Sequence, residues 1–476
     1  MNKIIVLIMF FIFCLVITFF LYKRRNNLKR EGIIFLYKTK IGIKAMERFA
    51  SKNKNFLNRL SPIIIFFSII LMISVIFIFL LNAFFYVYEP EKTIESTKGA
   101  PPIVPVIPYF PQLFGMKSFF PNFYFVYFII AFSIVAIFHE MAHGLYMVLY
   151  KVKIKSTGFL FLGPILGAFV EQDDKEFRKK TNKQQMTTLG AGVFANLLLS
   201  LIFGIILLSF FFSFYSPQGY LITNYATTQI NFSEIKNHSF IENNLTLLET
   251  YEGKKYLIPK ESFILIKDNI SLSEESVLSV YYYSPAILNK ISGYITEIDG
   301  KKVKNSEDII NALREKKPGE KIKLKTEINK TERSFEVVLE QNPFNYSLAF
   351  LGIPLITKEI LIKNIQNQNF NPIRKIFTRF FLIKDPLLLY KPKINSEVAD
   401  YIYYLIWWIM IINLFVSLFN MLPFGIFDGG RFSYLLILSL TKSKEKTERI
   451  HKVLRGIIIL SFFLLIFSWV FAKILF

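Results

Sequence analysis

Long apolar runs limit what this chain can fold into more than any other feature of its sequence. Of its 476 residues, 53% are hydrophobic and only 19% are charged, which excludes a disordered or fibrous chain and argues against a water-soluble globule. Because about 20 apolar residues can cross a membrane as a helix, the sequence predicts a polytopic α-helical membrane protein with about six transmembrane helices. The predicted transmembrane helices are residues 4–22, 63–86, 123–150, 189–214, 402–422 and 456–476.

The distribution of basic residues predicts the orientation of these helices. The loop after the first apolar run is rich in Lys and Arg, and its only acidic residues are Glu31 and Glu47, so the positive-inside rule assigns it to the cytosol. Alternation then places the N-terminus and the long segment between the fourth and fifth helices outside the cell. We expect a multi-pass protein of the cell membrane. The net charge is +22. Because orientation explains most of the positive excess near the membrane, the lipid bilayer is a predicted partner and nucleic acid is not.

One motif in the third apolar run carries chemistry. It reads His139-Glu140-Met141-Ala142-His143, and residues four apart on a helix share one face, so the two histidines can bind the same zinc ion. Glu140 then lies beside the metal as a proton acceptor. Ionisable groups are costly inside a membrane, which favours this interpretation over a hydrogen-bonded structural pair of histidines.

A catalytic zinc ion usually has three protein ligands and one open position. Because Cys14 is the only cysteine, we expect nitrogen and oxygen ligands. The candidate carboxylates are Glu171, Asp173, Asp174 and Asp428. The first three lie in a charged loop where surface pairing explains them. Asp428 is favoured because it lies in an apolar stretch on the cytosolic side, at the depth expected for the motif, with a turn cap as the alternative.

Together these residues resemble the site-2 protease family of intramembrane zinc metalloproteases. His139, Glu140 and His143 match the HExxH motif of that family, and Asp428 with Gly429 matches its Asp-Gly motif. The resemblance implies that Asp428 completes a Zn²⁺ site with the two histidines and that Glu140 is the catalytic base.

Further segments are similar to the same family. Asn420 and Pro423 precede the Asp-Gly motif as they do in the family, which implies that Asn420 positions substrate. Residues 190–196 are similar to a glycine-to-asparagine motif that ends at Asn196, a second candidate for substrate positioning. Residues 163–171 resemble a membrane-embedded loop that pairs with an extended substrate.

The external segment contains short β-type runs at residues 294–298 and 322–326 around a helical pattern at 306–316. Together with Ser284-Pro285-Ala286, these features resemble a PDZ domain of the membrane-protease type. The resemblance implies a small α+β domain with a groove for peptide ends or strand addition, which could admit substrates already trimmed by another protease. An unrelated small β-rich domain is the alternative.

The predicted function is hydrolysis of peptide bonds in or near transmembrane segments of membrane protein substrates, as in regulated intramembrane proteolysis. One alternative is a non-proteolytic membrane zinc transporter or metal sensor, and another is a metalloprotease that cuts soluble proteins from the cytosolic side. The remaining histidines, His238 and His451, are predicted to be solvated.

The chain is predicted to have five segments, one of which includes an external loop with five prolines between residues 101 and 111. They are an anchor helix with a basic cytosolic loop (1–61), a second transmembrane helix with the proline-rich loop (62–121), a catalytic core with the HExxH helix (122–216), an external region with the PDZ-like domain at about 284–340 (217–397), and a second part of the core with the Asp-Gly motif and the C-terminal helix (398–476).

Overall fold

A computed structural model describes residues 3–97, 125–162, 165–268, 277–355 and 384–475. The predicted proline-rich loop at residues 101–111 and the Gly163-Pro164 pair lie outside this part of the chain. The described residues form two compact units. The first contains the described residues of Met1–Ser213 and Glu397–Phe476, and the second contains those of Phe214–Asn369 and Arg374–Ser396.

Helices dominate the first unit, as the apolar runs predict. In chain order the α-helices described in both units are α1 (Lys3–Lys23), α2 (Ile43–Lys52), α3 (Lys54–Tyr88), α4 (Pro90–Thr97), α5 (Phe125–Leu149), α6 (Asp174–Arg178), α7 (Asn182–Phe214), α8 (Lys260–Asp268), α9 (Pro285–Leu288), α10 (Ser306–Arg314), α11 (Ser396–Phe419), α12 (Asp428–Thr441) and α13 (Lys444–Leu475).

Strands occur in both units. In chain order they are β1 (Leu28–Glu31), β2 (Ile34–Thr39), β3 (Ile154–Leu162), β4 (Ile165–Gln172), β5 (Tyr215–Ile222), β6 (Thr227–Asn231), β7 (Ile235–Ile241), β8 (Leu245–Thr250), β9 (Lys255–Pro259), β10 (Val277–Tyr282), β11 (Gly293–Ile298), β12 (Lys301–Lys302), β13 (Lys321–Ile328), β14 (Thr331–Val338), β15 (Glu340–Gln341), β16 (Ala349–Phe350) and β17 (Leu388–Pro392).

Five of the described helices, α3, α5, α7, α11 and α13, are long and apolar enough to cross a membrane. A helix suits that environment because it pairs its backbone N–H and C=O groups internally. The remaining predicted span, residues 4–22, corresponds to α1, a helix of 21 residues, so the total of six stays a prediction.

The helix α3 belongs to the core of the first unit. Its Leu71 and Met72 pack with Val193 of α7 and Phe432 of α12, and its C-terminal half packs on α13 through Phe79. The second apolar run is therefore part of the core of the first unit, where its Ile64 also packs with Tyr146 of the HExxH helix.

The predicted basic loop at residues 23–61 contains regular structure. Strands β1 and β2 form an antiparallel hairpin that adds to the β3–β4 hairpin, giving a four-stranded sheet in the order β1-β2-β3-β4. The amphipathic helix α2 follows and buries Met46 and Ala50. Thus the segment before the second span contributes half of the strands of this sheet.

The second unit contains the predicted PDZ-like segment. Strands β11 and β13 and helix α10 lie at the predicted places, and Ile295, Ile309 and Leu324 are buried in one core. The sheet order is β14-β13-β11-β5-β17, so its strands extend beyond residues 284–340. A five-stranded sheet in the order β6-β10-β9-β8-β7 was not predicted.

Candidate metal centre

Helix α5 presents the HExxH motif inside the first unit. Because His139 and His143 are four residues apart, both rings lie on one face of the helix, and they are only 8% and 7% exposed. Asp428, the first residue of α12, meets them there. The structure thus brings together three residues from two distant parts of the sequence.

The three potential ligand atoms form a nearly equilateral triangle. The two Nε2 atoms are 3.0 Å apart, and Asp428 Oδ2 is 3.3 Å from each of them. A tetrahedral zinc ion with ligands at about 2.0–2.1 Å separates its ligand atoms by about 3.3 Å. The spacing therefore fits a zinc ion, and His139, His143 and Asp428 form the one such group within the described residues.

The hydrogen bonds of the two rings also fit a metal. His143 Nδ1 is 2.7 Å from the carbonyl oxygen of Thr188. Because a carbonyl only accepts, Nδ1 carries a proton, and in the neutral ring Nε2 then offers a lone pair. His139 Nδ1 is 3.0 Å from the Asn196 carboxamide nitrogen, while Asn196 Oδ1 is buried without a partner in the described part of the chain.

A 180° rotation of the Asn196 carboxamide would let His139 Nδ1–H donate to Oδ1, which satisfies the buried oxygen and leaves His139 Nε2 unprotonated. Three lone pairs then converge within the triangle. A single proton would satisfy only two of these atoms, whereas a cation satisfies all three. The donor set is therefore suited to a metal ion.

Gly192 of α7 makes room for both histidine rings. A Cβ atom at this position would overlap with His143 Nε2 and would lie 2.8 Å from His139 Cε1. Any larger residue would push the rings apart, so α7 can pack this closely on α5 only with glycine at residue 192.

We expect Gly192→Ala to weaken metal binding by at least about 10-fold, because displaced rings lose the ligand geometry. The metal affinity of the purified protein measures this effect. Gly204→Ala is a matched control in the same helix, since an added Cβ there meets Met410 Sδ at an ordinary 3.5 Å. Equal affinities of the two variants would contradict the prediction.

The turn before α12 fixes the place of Asp428. Gly429 N–H donates to the carbonyl oxygen of Asn420 at 2.7 Å, and a Cβ at Gly429 would overlap with the backbone of Met421. Asn420 therefore lies next to the Asp-Gly motif, with its side chain half-buried.

Glu140 lies between the histidines and the sheet. Its Oε2 accepts a hydrogen bond of 2.9 Å from the backbone N–H of Val170 in β4. Val170 is paired with Thr157 of β3, so an N–H that reaches Glu140 points away from β3, along the outer edge of β4. Among the described strands, none pairs with this outer edge.

The other candidate carboxylates have different partners. Glu171 accepts hydrogen bonds from Lys38 and Ser156, and Asp173 caps the N-terminus of α6. Asp174 accepts a hydrogen bond from the Gln172 side chain. These contacts place the three residues outside the His-His-Asp triangle.

The prediction for His451 was wrong. Its ring is only 9% exposed, and Nε2 lies 3.0 Å from the carbonyl oxygen of Gly430 and 3.1 Å from Ser433 Oγ. The neighbouring Lys452 suggested a solvated surface, but α13 turns His451 toward α12. His238 is half-buried and its ring contacts Phe263.

Sequence reasoning also missed the backbone groups of Val170 and Thr188 that contact the site. Backbone groups are present in every residue, so only the folded arrangement reveals which of them contact the site. Gly192 lies in the glycine-to-asparagine segment, which was the one available indication of a close approach.

Comparison with known proteins agrees with this geometry. The model of Peptidase family M50 matches residues 127–465, a range that contains His139, Glu140, His143 and Asp428. The chain belongs to peptidase family M50. This is the family of the site-2 proteases, so the resemblance in the sequence is confirmed, and membership supports a membrane zinc metalloprotease.

Two relatives of this M50 chain have partial matches. An archaeal relative, "Uncharacterized protein MJ0971" from Methanocaldococcus jannaschii, is 31% identical over 40% of this chain and 48% of its own length. A bacterial relative, "Putative zinc metalloprotease FN1322" from Fusobacterium nucleatum, is 27% identical over 38% of this chain and 57% of its own length. The chain thus matches about half the length of these relatives.

Proposed function

We propose that the chain is an intramembrane zinc metalloprotease that hydrolyses peptide bonds in or near transmembrane segments of membrane proteins. The observation that carries this proposal is the triangle of His139, His143 and Asp428 with Glu140 beside it. Membership of peptidase family M50 supports the reaction class, and the span-length helix α5 supports a site within the membrane.

His139, His143 and Asp428 would hold the metal. A zinc ion bound there would supply a Lewis acid that polarises the scissile carbonyl and acidifies a water molecule. Two neutral imidazoles and one carboxylate leave a net positive charge for this purpose. Thr188 and Asn196 would keep the imidazoles oriented through their Nδ1 atoms.

Glu140 is the proposed general base. The Val170 N–H holds its Oε2, which leaves Oε1 to accept a proton from the attacking water. The same carboxyl group then donates this proton to the leaving amine. Its fixed position beside the ligand triangle supplies the geometry that such a transfer requires.

The outer edge of β4 is the proposed binding place for the substrate backbone. Outward-facing backbone groups recur at every second residue of a strand, so Leu166 and Ala168 present them on the same edge as Val170. An extended substrate could pair with this edge by strand addition. A substrate helix must first unwind, because its own hydrogen bonds shield the peptide bond.

The two asparagines are proposed to have different roles. Asn420 lies in the turn that leads to Asp428, which suits the predicted role in substrate positioning. Asn196 was assigned the same role from the sequence, but its contact with His139 Nδ1 favours a role in orienting that ring.

Several parts of the proposal concern topology and regulation. We place the N-terminus and the PDZ-like domain outside the cell and the site toward the cytosolic end. The positive-inside rule assigns the basic loops to the cytosol, and this orientation follows from that assignment. The PDZ-like domain is proposed to exclude substrates with large external domains. Regulated intramembrane proteolysis would follow from such a filter.

A zinc transporter is the weaker candidate. Transport requires a series of polar sites along a path through the membrane, whereas the described residues contain one group able to hold a metal. The position of Glu140 beside that group also has no purpose in simple ion transfer.

The proposal is tested with the full chain reconstituted in lipid vesicles. Single-span peptides with short or folded external parts and an unfolded soluble protein serve as substrates. We expect cleavage of the peptides, preference for short external parts, loss of cleavage after chelation and recovery with zinc. Zinc flux without cleavage would support the transporter, and faster cleavage of the soluble protein would overturn the intramembrane assignment.

A further inference from the structure

The sheet beside Glu140 is completed by residues that precede the M50 match. Strand β2 pairs with β3 through the register Tyr37↔Phe159 and Thr39↔Thr157, whereas the family match begins at residue 127. The N-terminal hairpin of β1 and β2 therefore supports the strands that reach the metal centre.

One carboxylate ties three of these strands together. Lys38 Nζ of β2 lies 2.5 Å from Glu171 Oε2 of β4, and Ser156 Oγ of β3 donates to the same oxygen at 2.5 Å. The hydrogen bond from Lys38 is the main cause that lowers the pKa of Glu171, so this carboxylate is charged at neutral pH. The side chains of Lys38 and Glu171 are partly buried, with 28% and 36% of their surfaces exposed, respectively.

The ion pair lies one residue from the group that holds Glu140. Glu171 follows Val170, whose N–H donates to Glu140 Oε2 at 2.9 Å. Strand β4 is at the edge of the sheet, so among the described strands only β3 supports it through backbone pairing. The link to Lys38 adds a second support, which reaches across β3 to β2.

We propose that the Lys38–Glu171 ion pair is a positioning device that holds the Val170 N–H, and through it the Glu140 carboxylate, against the metal centre. Lys38 and Glu171 are positioning residues and do not contact the reacting atoms. The catalytic part of the inference rests on the proposed protease function. Its structural part, the fixed Val170 N–H, can be measured without activity.

The test uses the full chain with Lys38→Ala, Glu171→Gln, the double variant and Lys38→Arg. Lys155→Ala is the matched control, because Lys155 lies on the same sheet and pairs with Asp173 at 3.3 Å instead of Glu171. Peptide hydrolysis gives kcat and KM, metal analysis gives occupancy, and hydrogen exchange gives the protection of the Val170 amide.

We expect both single variants to lower kcat by about 10-fold to 100-fold, since a misplaced catalytic group can cost that much, with KM within about two-fold and metal retained. The double variant should have a kcat no lower than that of either single variant, and Lys38→Arg should retain most of the wild-type kcat. The Val170 amide should exchange at least about 10-fold faster in Lys38→Ala, and its exchange rate should be unchanged in Lys155→Ala.

Loss of metal from Lys38→Ala or Glu171→Gln would overturn the positioning role, because it indicates general disruption. A loss of kcat in Lys155→Ala as large as in those two variants would overturn it for the same reason. Unchanged exchange at Val170 would overturn it as well. If the wild type cleaves no peptide, the proposed function fails, and the exchange measurement still decides whether the ion pair fixes β4.

Discussion

Replacing Glu140 with Gln is expected to lower the rate of peptide hydrolysis by about 1,000-fold while the protein keeps its metal. Gln has nearly the same shape and can still accept the Val170 N–H, but it cannot take a proton from water. The measurement pairs cleavage of a single-span peptide with the metal content of the same preparation.

Glu47→Gln is the matched control for this change, because Glu47 is an exposed residue of α2 and its loss should leave the rate unaltered. A Glu140→Gln protein that retains more than about a tenth of the wild-type rate would exclude Glu140 as the general base. If Glu140→Gln instead loses the metal, its role is in binding and the mechanism must be revised.

Replacing Asp428 with Asn is expected to remove both metal and activity. The substitution takes away the only negative charge among the three proposed ligands, so a divalent ion would remain uncompensated in a largely buried site. We expect metal affinity to fall by more than about 100-fold, a larger loss than outer contacts of a metal site usually cause. Metal titration of the purified variant measures this affinity.

Asp174→Asn provides the comparison, since Asp174 was an alternative ligand in the sequence and contacts Gln172 in the structure. It should bind metal as the wild type does. Full metal occupancy in Asp428→Asn at wild-type affinity would show that Asp428 is not a ligand, and the ligand set would need a different third member.

The residues of the proposed centre could be predicted from the sequence because each has a short-range signature. The spacing of His139 and His143 follows the helix period, and Asp428 stood out as an isolated acid in an apolar stretch. Family membership is confirmed, whereas the catalytic and ligand roles remain proposals that rest on geometry.

The N-terminal hairpin could not be predicted in the same way. Lys29, Arg30 and Lys38 were interpreted as topology determinants, and their charge concealed the alternation of a strand pair. Its pairing with β3 joins residues more than 100 positions apart, and single-sequence patterns carry no information on such contacts.

The order in which the proposed ligands are synthesised has a consequence for a nascent chain. His143 and Asp428 are about 280 residues apart, so at about 5–20 residues per second a ribosome needs roughly 15–60 s to pass from one to the other. During this interval the HExxH helix can enter the bilayer with only two of its three ligands. With the proposed ligand set, the metal centre stays incomplete until α12 is made and folded, so a nascent chain would be inactive up to that point.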